Sequence, residues 1–398
     1  MKKKRFYVEI MQEKSEASGS LILAAVRMGK KIIRFVVDCG LYQEVKYKKQ
    51  NANFLIDPQQ VDFVILTHYH IDNSGRLPYF VKKGFKGKIY TSKVTERILD
   101  IHLRDTMKKL SYKWNQVNYD LEDISQTMRL ISGCGYNKAI EINDNITIHL
   151  IPNCHCIGSV SVLVQIHCPG QEKDINLLFS GDYNNRNLFF EVPPLEEWVR
   201  ELPINMIIES TVTSQKKEKV FEKNIKDALQ EKKTIIVLIN SMGSAQEVLY
   251  CISQMQKAYP ELFENVPIYY DGEMSICCTD MYYKLINEGL LEFYEDKKDF
   301  LPKKIIRVMN DKHREKIASH IHDCKIIVTT SSTGSSGPAQ VYIPAYIDKP
   351  NALIHFTENS VKGTLGYSLR GSNTTTIEFQ DVLKVKKADV KFTQEFRR

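Results

Sequence analysis

Residues 61–75 read VDFVILTHYHIDNSG, and the order of apolar and polar groups in this stretch decides how the rest of the chain is read. VDFVILT is short and rich in β-branched side chains, the pattern of a buried strand. It runs directly into His68-Tyr69-His70-Ile71-Asp72, with Gly75 three residues further on. Imidazole and carboxylate suit zinc, and closely spaced histidines at a strand end converge on one point. His102, His149, His167 and His355 lie singly on apolar patterns and read as structural histidines.

Other apolar runs end in the same way. IIRFVVD (32–38) ends on Asp38, INLLFSGD (175–182) on Asp182, and MIIES (206–210) carries Glu209. Ligands of open sheets bind beyond the carboxyl ends of strands, although Asp before Cys39-Gly40 is equally a turn opener. His155 stands in a further loop, NCHCIGS (153–159), where alternation turns Cys154 and Cys156 away from it. Three histidines and the shared carboxylate of Asp182 make a first metal site, and Asp72 with Asp182 reaches toward a second. Zinc brings the pKa of water toward 7, and paired metals about 3.5–4 Å apart clamp both oxygens of a phosphodiester exchange.

Further runs at 146–152, 161–168, 234–240, 325–331 and 352–356, with helical patterns at 244–259 and 278–290, give an α/β chain. Up to about residue 205 the strands follow closely and predict antiparallel pairs. From 206 to 350 strands and helices alternate as in a doubly wound parallel unit. The charged stretch 295–304 reads as a solvated loop. A length of 398 residues favours two domains, and 43% hydrophobic with 26% charged residues excludes a disordered or fibrous chain. A net charge of +7 permits a polyanion partner without requiring one. Nine cysteines without CxxC pairs argue against a disulfide framework. With no signal-peptide core and no apolar run near 18 residues, a soluble cytoplasmic protein away from membranes is expected.

Asp38, THYHID (67–72), His155-x-x-Gly158-Ser159 and SGD (180–182) resemble motifs one to four of the metallo-β-lactamase fold. MIIEST (206–211), Asn240-Ser241-x-Gly243-x-x-Gln246-Glu247, IYYDGEMS (268–275), TTSSTGSSGPA (329–339) and GTLGYSLR (363–370) resemble its β-CASP branch. That branch contains RNA- and DNA-processing nucleases, among them ribonuclease J and the mRNA 3′-end cleavage subunit. The resemblance implies a metallo-β-lactamase αββα sandwich (1–205) with an inserted doubly wound β-CASP domain (206–370). Residues 371–398 would be a truncated return segment to the first domain, and nucleic acid would run between the two domains.

The activity so implied is zinc-dependent phosphodiester hydrolysis, foremost of RNA, with DNA as the other substrate class. His68, His70, His155 and Asp182 would hold zinc, Asp72 would bind or activate the attacking water, and Asp38 would steady the HxHxD loop. Glu209 occupies the first acidic β-CASP motif. Backbone amides around Ser332, Gly334, Ser335 and Ser336 would cradle a phosphate. Ser241 and Gln246 would face the substrate backbone unless Ser241 or Ser244 caps the helix, and Lys362 and Arg370 would bind phosphate.

Two departures from the family pattern bear on the cofactor. Position 73 is Asn where the pattern has a metal-binding His, and KKADVKFTQEFRR (386–398) stands where further histidines are expected. One zinc site is therefore expected, with the second depleted. The alternative reading is a catalytically impaired homologue that binds RNA or acts as a scaffold, either as a homo-oligomer or beside a partner subunit.

Overall fold

The β-branched runs form strands whose pairing divides the chain into two compact units, Met1–Thr213 with Leu290–Glu292, and Ser214–Gly289 with Phe293–Arg398. The computed structural model describes residues 6–13, 18–43, 45–114, 118–184, 186–192, 194–210, 220–358, 362–371, 375–379, 382–393 and 395–396.

The first unit holds two sheets. One consists of β1 (Phe6–Gln12), β2 (Ile22–Met28), β3 (Lys31–Val37), β4 (Phe63–Ile65), β5 (Lys88–Ser92) and β6 (Ile131–Cys134), in that order. The other runs β11-β10-β9-β8-β7, from β7 (Ala139–Asn143), β8 (Ile146–Pro152), β9 (Val160–Ile166), β10 (Ile175–Phe179) and β11 (Ile204–Ile207). Val26, Phe35, Phe63 and Ile65 of the first sheet bury against Ile148, Leu150, Val162, Val164 and Phe179 of the second. Val94, Ile98, Leu99 and Leu103, buried at helical spacing, turn the helix Lys93–Trp114 inward. Val199 does the same for the short helix Glu197–Glu201, against Leu163 and Leu178 of the second sheet.

The expected antiparallel pairs occur in β1–β3 and β7–β10. From β3 to β6 the strands run parallel instead. The reason is the length of the connections: Val45–Ala52 and Pro58–Gln60 lie between β3 and β4, the helices Ile71–Ser74 and Leu77–Lys82 between β4 and β5, and the helices Lys93–Trp114 and Leu121–Leu130 between β5 and β6, giving the crossovers that parallel neighbours need. β11 pairs in parallel with β10, so residues 206–210, expected to open the second domain, belong to the first.

The second unit is built on a six-stranded parallel sheet, β14-β13-β15-β12-β16-β19. Its strands are β12 (Thr234–Ile239), β13 (Ile268–Asp271), β14 (Ile305–Val308), β15 (Lys325–Thr330), β16 (Ala352–Phe356) and β19 (Asp389–Phe392); β17 (Thr376–Phe379) and β18 (Val382–Val385) form a separate hairpin. Along β12, Ile235, Val237 and Ile239 enter one core while Ile236 and Leu238 enter the other. A sheet covered on both faces has no polar side, which explains its continuous apolar runs.

The expectation for residues 371–398 needs correction. Among their described residues, β19 pairs with β16 through Leu353–Asp389 to Phe356–Phe392 and extends the second sheet, not a sheet of the first unit. Ala388 and Ile377 are buried in the same core.

Candidate metal centre

β4 ends at Ile65, and Thr67 and His68 follow it at once, linked through Thr67 to Asp38. Asp38, just past β3, accepts hydrogen bonds from the Thr67 backbone N–H at 2.8 Å and from the Thr67 hydroxyl at 2.9 Å. Thr67 Oγ1 lies 3.0 Å from His68 Nδ1. A hydroxyl has one proton, and here the carboxylate takes it, so the oxygen accepts from His68 Nδ1–H. That tautomer leaves the lone pair on His68 Nε2, the nitrogen 3.1 Å from His70 Nδ1. Burial first, then His155 and His102, holds the His68 pKa well below the usual imidazole value, so the ring stays neutral.

His70 precedes the one-turn helix Ile71–Ser74, whose first turn carries Asp72. His155 is set by Asn153, whose Oδ1 accepts from the His155 N–H at 3.1 Å and the Ser159 hydroxyl at 2.6 Å. The same amide donates to the carbonyls of Ser180 at 3.4 Å and Asp182 at 3.2 Å, joining two loops into one assembly. Gly40 lets the loop after β3 lie against the HxHxD loop: a Cβ there would stand 1.5 Å from the Asp72 carbonyl oxygen.

His70 Nδ1 lies 3.1 Å from both His68 Nε2 and His155 Nε2. Zinc–nitrogen bonds of 2.0–2.1 Å imply a tetrahedral ligand edge of about 3.3 Å, close to that spacing. Asp182 Oδ2 stands 3.8 Å from His68 Nε2 and 3.7 Å from His155 Nε2. Among the described residues these three histidines are the group placed to hold a metal ion.

The carboxylates argue in the same direction. Burial, together with the charges of Asp72, Asp38 and Glu209, pushes Asp182 up to about 8, although a third of its side chain meets solvent and an Asn73 hydrogen bond works against the rise. Burial likewise raises Asp38 to about 7, opposed by its bonds from Asn73 and Thr67, with Asp72 adding repulsion. Crowded carboxylates that resist ionisation are what a divalent cation relieves.

Glu209 belongs to this cluster through its charge, and its backbone N–H donates to Ser180 Oγ at 3.0 Å. Cys154 and Cys156 are buried beside His155. Ser241, Ser332, Gly334, Ser335, Ser336 and Lys362 lie in the second unit, where Ser241 follows β12 and the Ser/Gly loop follows its neighbour β15. Ser335 Oγ accepts from the Leu365 N–H at 2.8 Å, fastening that loop to the helix Leu365–Arg370 beside exposed Lys362. Gln246 is not available to a substrate: it is fully buried, accepting from the Gly243 N–H and donating to Thr279.

The motif reading gives no role to Asn153 or Arg76, and it does not give the bond from Asn73 to Asp38 or the link from Thr67 to His68. An Asn closing a strand before a His-bearing loop was the available signal for Asn153.

A model of the metallo-beta-lactamase superfamily matches residues 33–132, and one of the Beta-Casp domain matches 245–369. The chain thus carries a metallo-beta-lactamase domain followed by a Beta-Casp domain. Cleavage and polyadenylation specificity factor subunit 3-I of Arabidopsis thaliana is 25% identical to this β-CASP chain, over 89% of it and 50% of the relative. Transcription termination factor FttA of Methanococcus maripaludis is 25% identical over 85% and 54%. Ribonuclease TTHA0252 of Thermus thermophilus is 23% identical over 88% and 78%. The β-CASP chain thus spans about half the length of the first two relatives. No helix among its described residues is long and apolar enough to cross a membrane.

Proposed function

We propose that this β-CASP chain is a zinc-dependent phosphodiester hydrolase that cuts RNA. The observation that carries the reading is the convergence of His68 Nε2, His70 Nδ1 and His155 Nε2 within 4.8 Å of one another, with Asp182 Oδ2 beside them. Three imidazoles and a carboxylate are a donor set that fits zinc. When bound, zinc would act as a Lewis acid and provide a nucleophilic water near neutral pH.

The protein's own groups have distinct tasks in this reading. Asp38, through Thr67, fixes the His68 tautomer, and Asn153 fixes His155 against the Asp182 loop. Asp72 binds and deprotonates the attacking water, and Glu209 keeps the cluster negative. Water adds to phosphorus as one P–O ester bond breaks, leaving a phosphate monoester and a free hydroxyl. Ser241, the amides of the loop bearing Ser332, Gly334, Ser335 and Ser336, and the ammonium of Lys362 contact backbone phosphates. A relative bearing the name ribonuclease supports RNA as the substrate class.

The buried amide at position 73 favours a second reading, an RNA-binding homologue of reduced activity. The deciding experiment incubates end-labelled single-stranded RNA with tag-free protein and zinc. Cleavage that a chelator and His70→Ala both abolish is expected. Retention of RNA without any cleavage would replace the hydrolase by the binding protein.

A further inference from the structure

We propose, resting on the reading that RNA is cut at the three histidines, that Lys46, Lys49 and Lys93 bind the backbone phosphates flanking the scissile bond, a basic rail within the first unit.

β3, β4 and β5 are parallel neighbours, so the segments leaving their carboxyl ends emerge along one edge of the sheet. The middle segment carries His68 and His70. The segment after β3 carries Lys46 and Lys49, and Lys93 is the first residue after β5; all three are exposed.

Both flanks are fastened to the metal loops. On the β3 side, the Cys39 N–H donates to the Asn73 carbonyl at 2.7 Å and the Leu41 N–H to the Ile71 carbonyl at 2.9 Å. Arg76 then reaches from the Gly40 carbonyl to those of Gln50 at 3.3 Å and Asn53 at 3.0 Å. Asn51 accepts from the Tyr42 N–H and donates to the Tyr42 carbonyl, closing the loop on itself. The turn Val45–Ala52 that bears both lysines is thereby held within one arginine side chain of the loop beside the HxHxD segment. On the β5 side, the hydroxyls of Ser92 and Thr95 both donate to the Gly158 carbonyl, at 2.6 and 3.0 Å, three residues beyond His155. Lys93 stands between these two anchors.

The charge of the centre gives this placement its use. Asp38, Asp72, Asp182 and Glu209 surround the histidines with carboxylates that repel a phosphate chain. Attraction for the strand has to come from outside that cluster, and cations on the loops at either side supply it. An ammonium on a flexible stem binds phosphate whatever the neighbouring base, so the rail positions the strand without reading its sequence.

The salt dependence of binding tests this without cleavage. Anisotropy of a short labelled single-stranded RNA is followed in chelator, across potassium chloride from about 50 to 200 mM. Each phosphate neutralised on a single strand adds about 0.7 to the slope of log Kd against log salt. The triple variant Lys46→Gln, Lys49→Gln, Lys93→Gln is expected to lose about 2 from the wild-type slope. The matching Lys→Arg variant should keep it. Lys86→Gln with Lys88→Gln, at the amino end of β5, should leave it unchanged. An unchanged slope in the Gln triple variant would overturn the rail, as would an equal fall in the Lys86 and Lys88 variant or in the Arg variant. Wild type that fails to bind the RNA would overturn it too. Wild type that binds with the expected slope yet never cuts with zinc restored would overturn the hydrolase and leave the rail standing; wild type that cuts while the Gln variant keeps its slope would do the reverse.

Discussion

Asp38 grips Thr67 at two points, accepting from its backbone N–H at 2.8 Å and from its hydroxyl at 2.9 Å, and the hydroxyl oxygen in turn meets His68 Nδ1 at 3.0 Å. The carboxylate never reaches the cluster of imidazole nitrogens, yet it determines which nitrogen of His68 can bind a metal. Groups that orient a metal-binding histidine in this way typically change affinity 10- to 100-fold when removed.

Asp38→Asn is therefore expected to weaken zinc binding by about 10- to 100-fold, within that range for outer partners. Asn tolerates the left-handed backbone at φ 59° that Asp38 adopts, so the charge is removed without forcing the turn. Thr67→Val should act in the same direction, while Thr67→Ser should restore affinity. Competition against a chromogenic chelator measures all three, and a Thr67→Val protein with wild-type affinity would break the chain of argument from Asp38 to His68.

Asp182→Ala separates two roles of one carboxylate. If Asp182 completes the metal site, the variant loses hydrolysis and most of its zinc. In chelator the outcome reverses, because burial and three neighbouring carboxylates already disfavour the ionised form. The metal-free variant should melt no lower than metal-free wild type. Unchanged cleavage by Asp182→Ala would remove it from the site.

The histidine cluster was legible because its ligands end apolar runs, and a strand end confines side chains that are distant in sequence. The parallel sheet was legible for a similar reason: both faces of β12 are buried, so its sequence is apolar throughout. Residues 389–392 were not, since a four-residue edge strand with two exposed positions has no pattern to distinguish it from a loop. Gln246 was misread because a polar residue at a helix start looks the same whether it faces solvent or closes the helix's own first turn. The contacts of Asn153 and Asn73 were not legible because their partners lie 27–35 residues away, and local spacing does not encode such contacts.

Arg76 predicts a cost in stability that local sequence would not suggest. It is 1% exposed, donating from Nε to the Gly40 carbonyl, from one terminal nitrogen to Asn53 at 3.0 Å and from the other to Glu13 at 2.5 Å, between the rings of Tyr42 and Phe54. Arg76→Met leaves Glu13 without its counter-charge and two carbonyls without their donor, for a loss of about 3–5 kcal/mol. Lysine cannot reproduce the planar fork, so Arg76→Lys should recover little of it. Urea unfolding of the zinc-free variants gives the number, and a loss below about 1 kcal/mol, the value of an exposed pair, would contradict the buried geometry.

His355 makes the stability of the second unit depend on acid. It is fully buried on β16, its Nε2 3.1 Å from the Asn224 amide and its ring against Phe221. Burial first, with the Lys391 charge on the neighbouring strand adding to it, lowers its pKa from 6.5 to about 4. The unfolded chain thus takes up this proton near pH 6.5, while the folded chain refuses it until about pH 4. Between those values the unfolded state binds more protons, so stability falls as pH falls, and the contribution is intact above pH 6.5 and gone below about 4. The total is about 3 kcal/mol at 1.36 kcal/mol per unit. His355→Phe removes the titration but strands the Asn224 amide, so it should be less stable than wild type at pH 7.5. The gap should narrow or reverse by pH 4.5. Urea unfolding at the two pH values, followed through the difference between variant and wild type, isolates this group from every other carboxylate and histidine; a difference that stays constant with pH would mean that His355 titrates alike in both states.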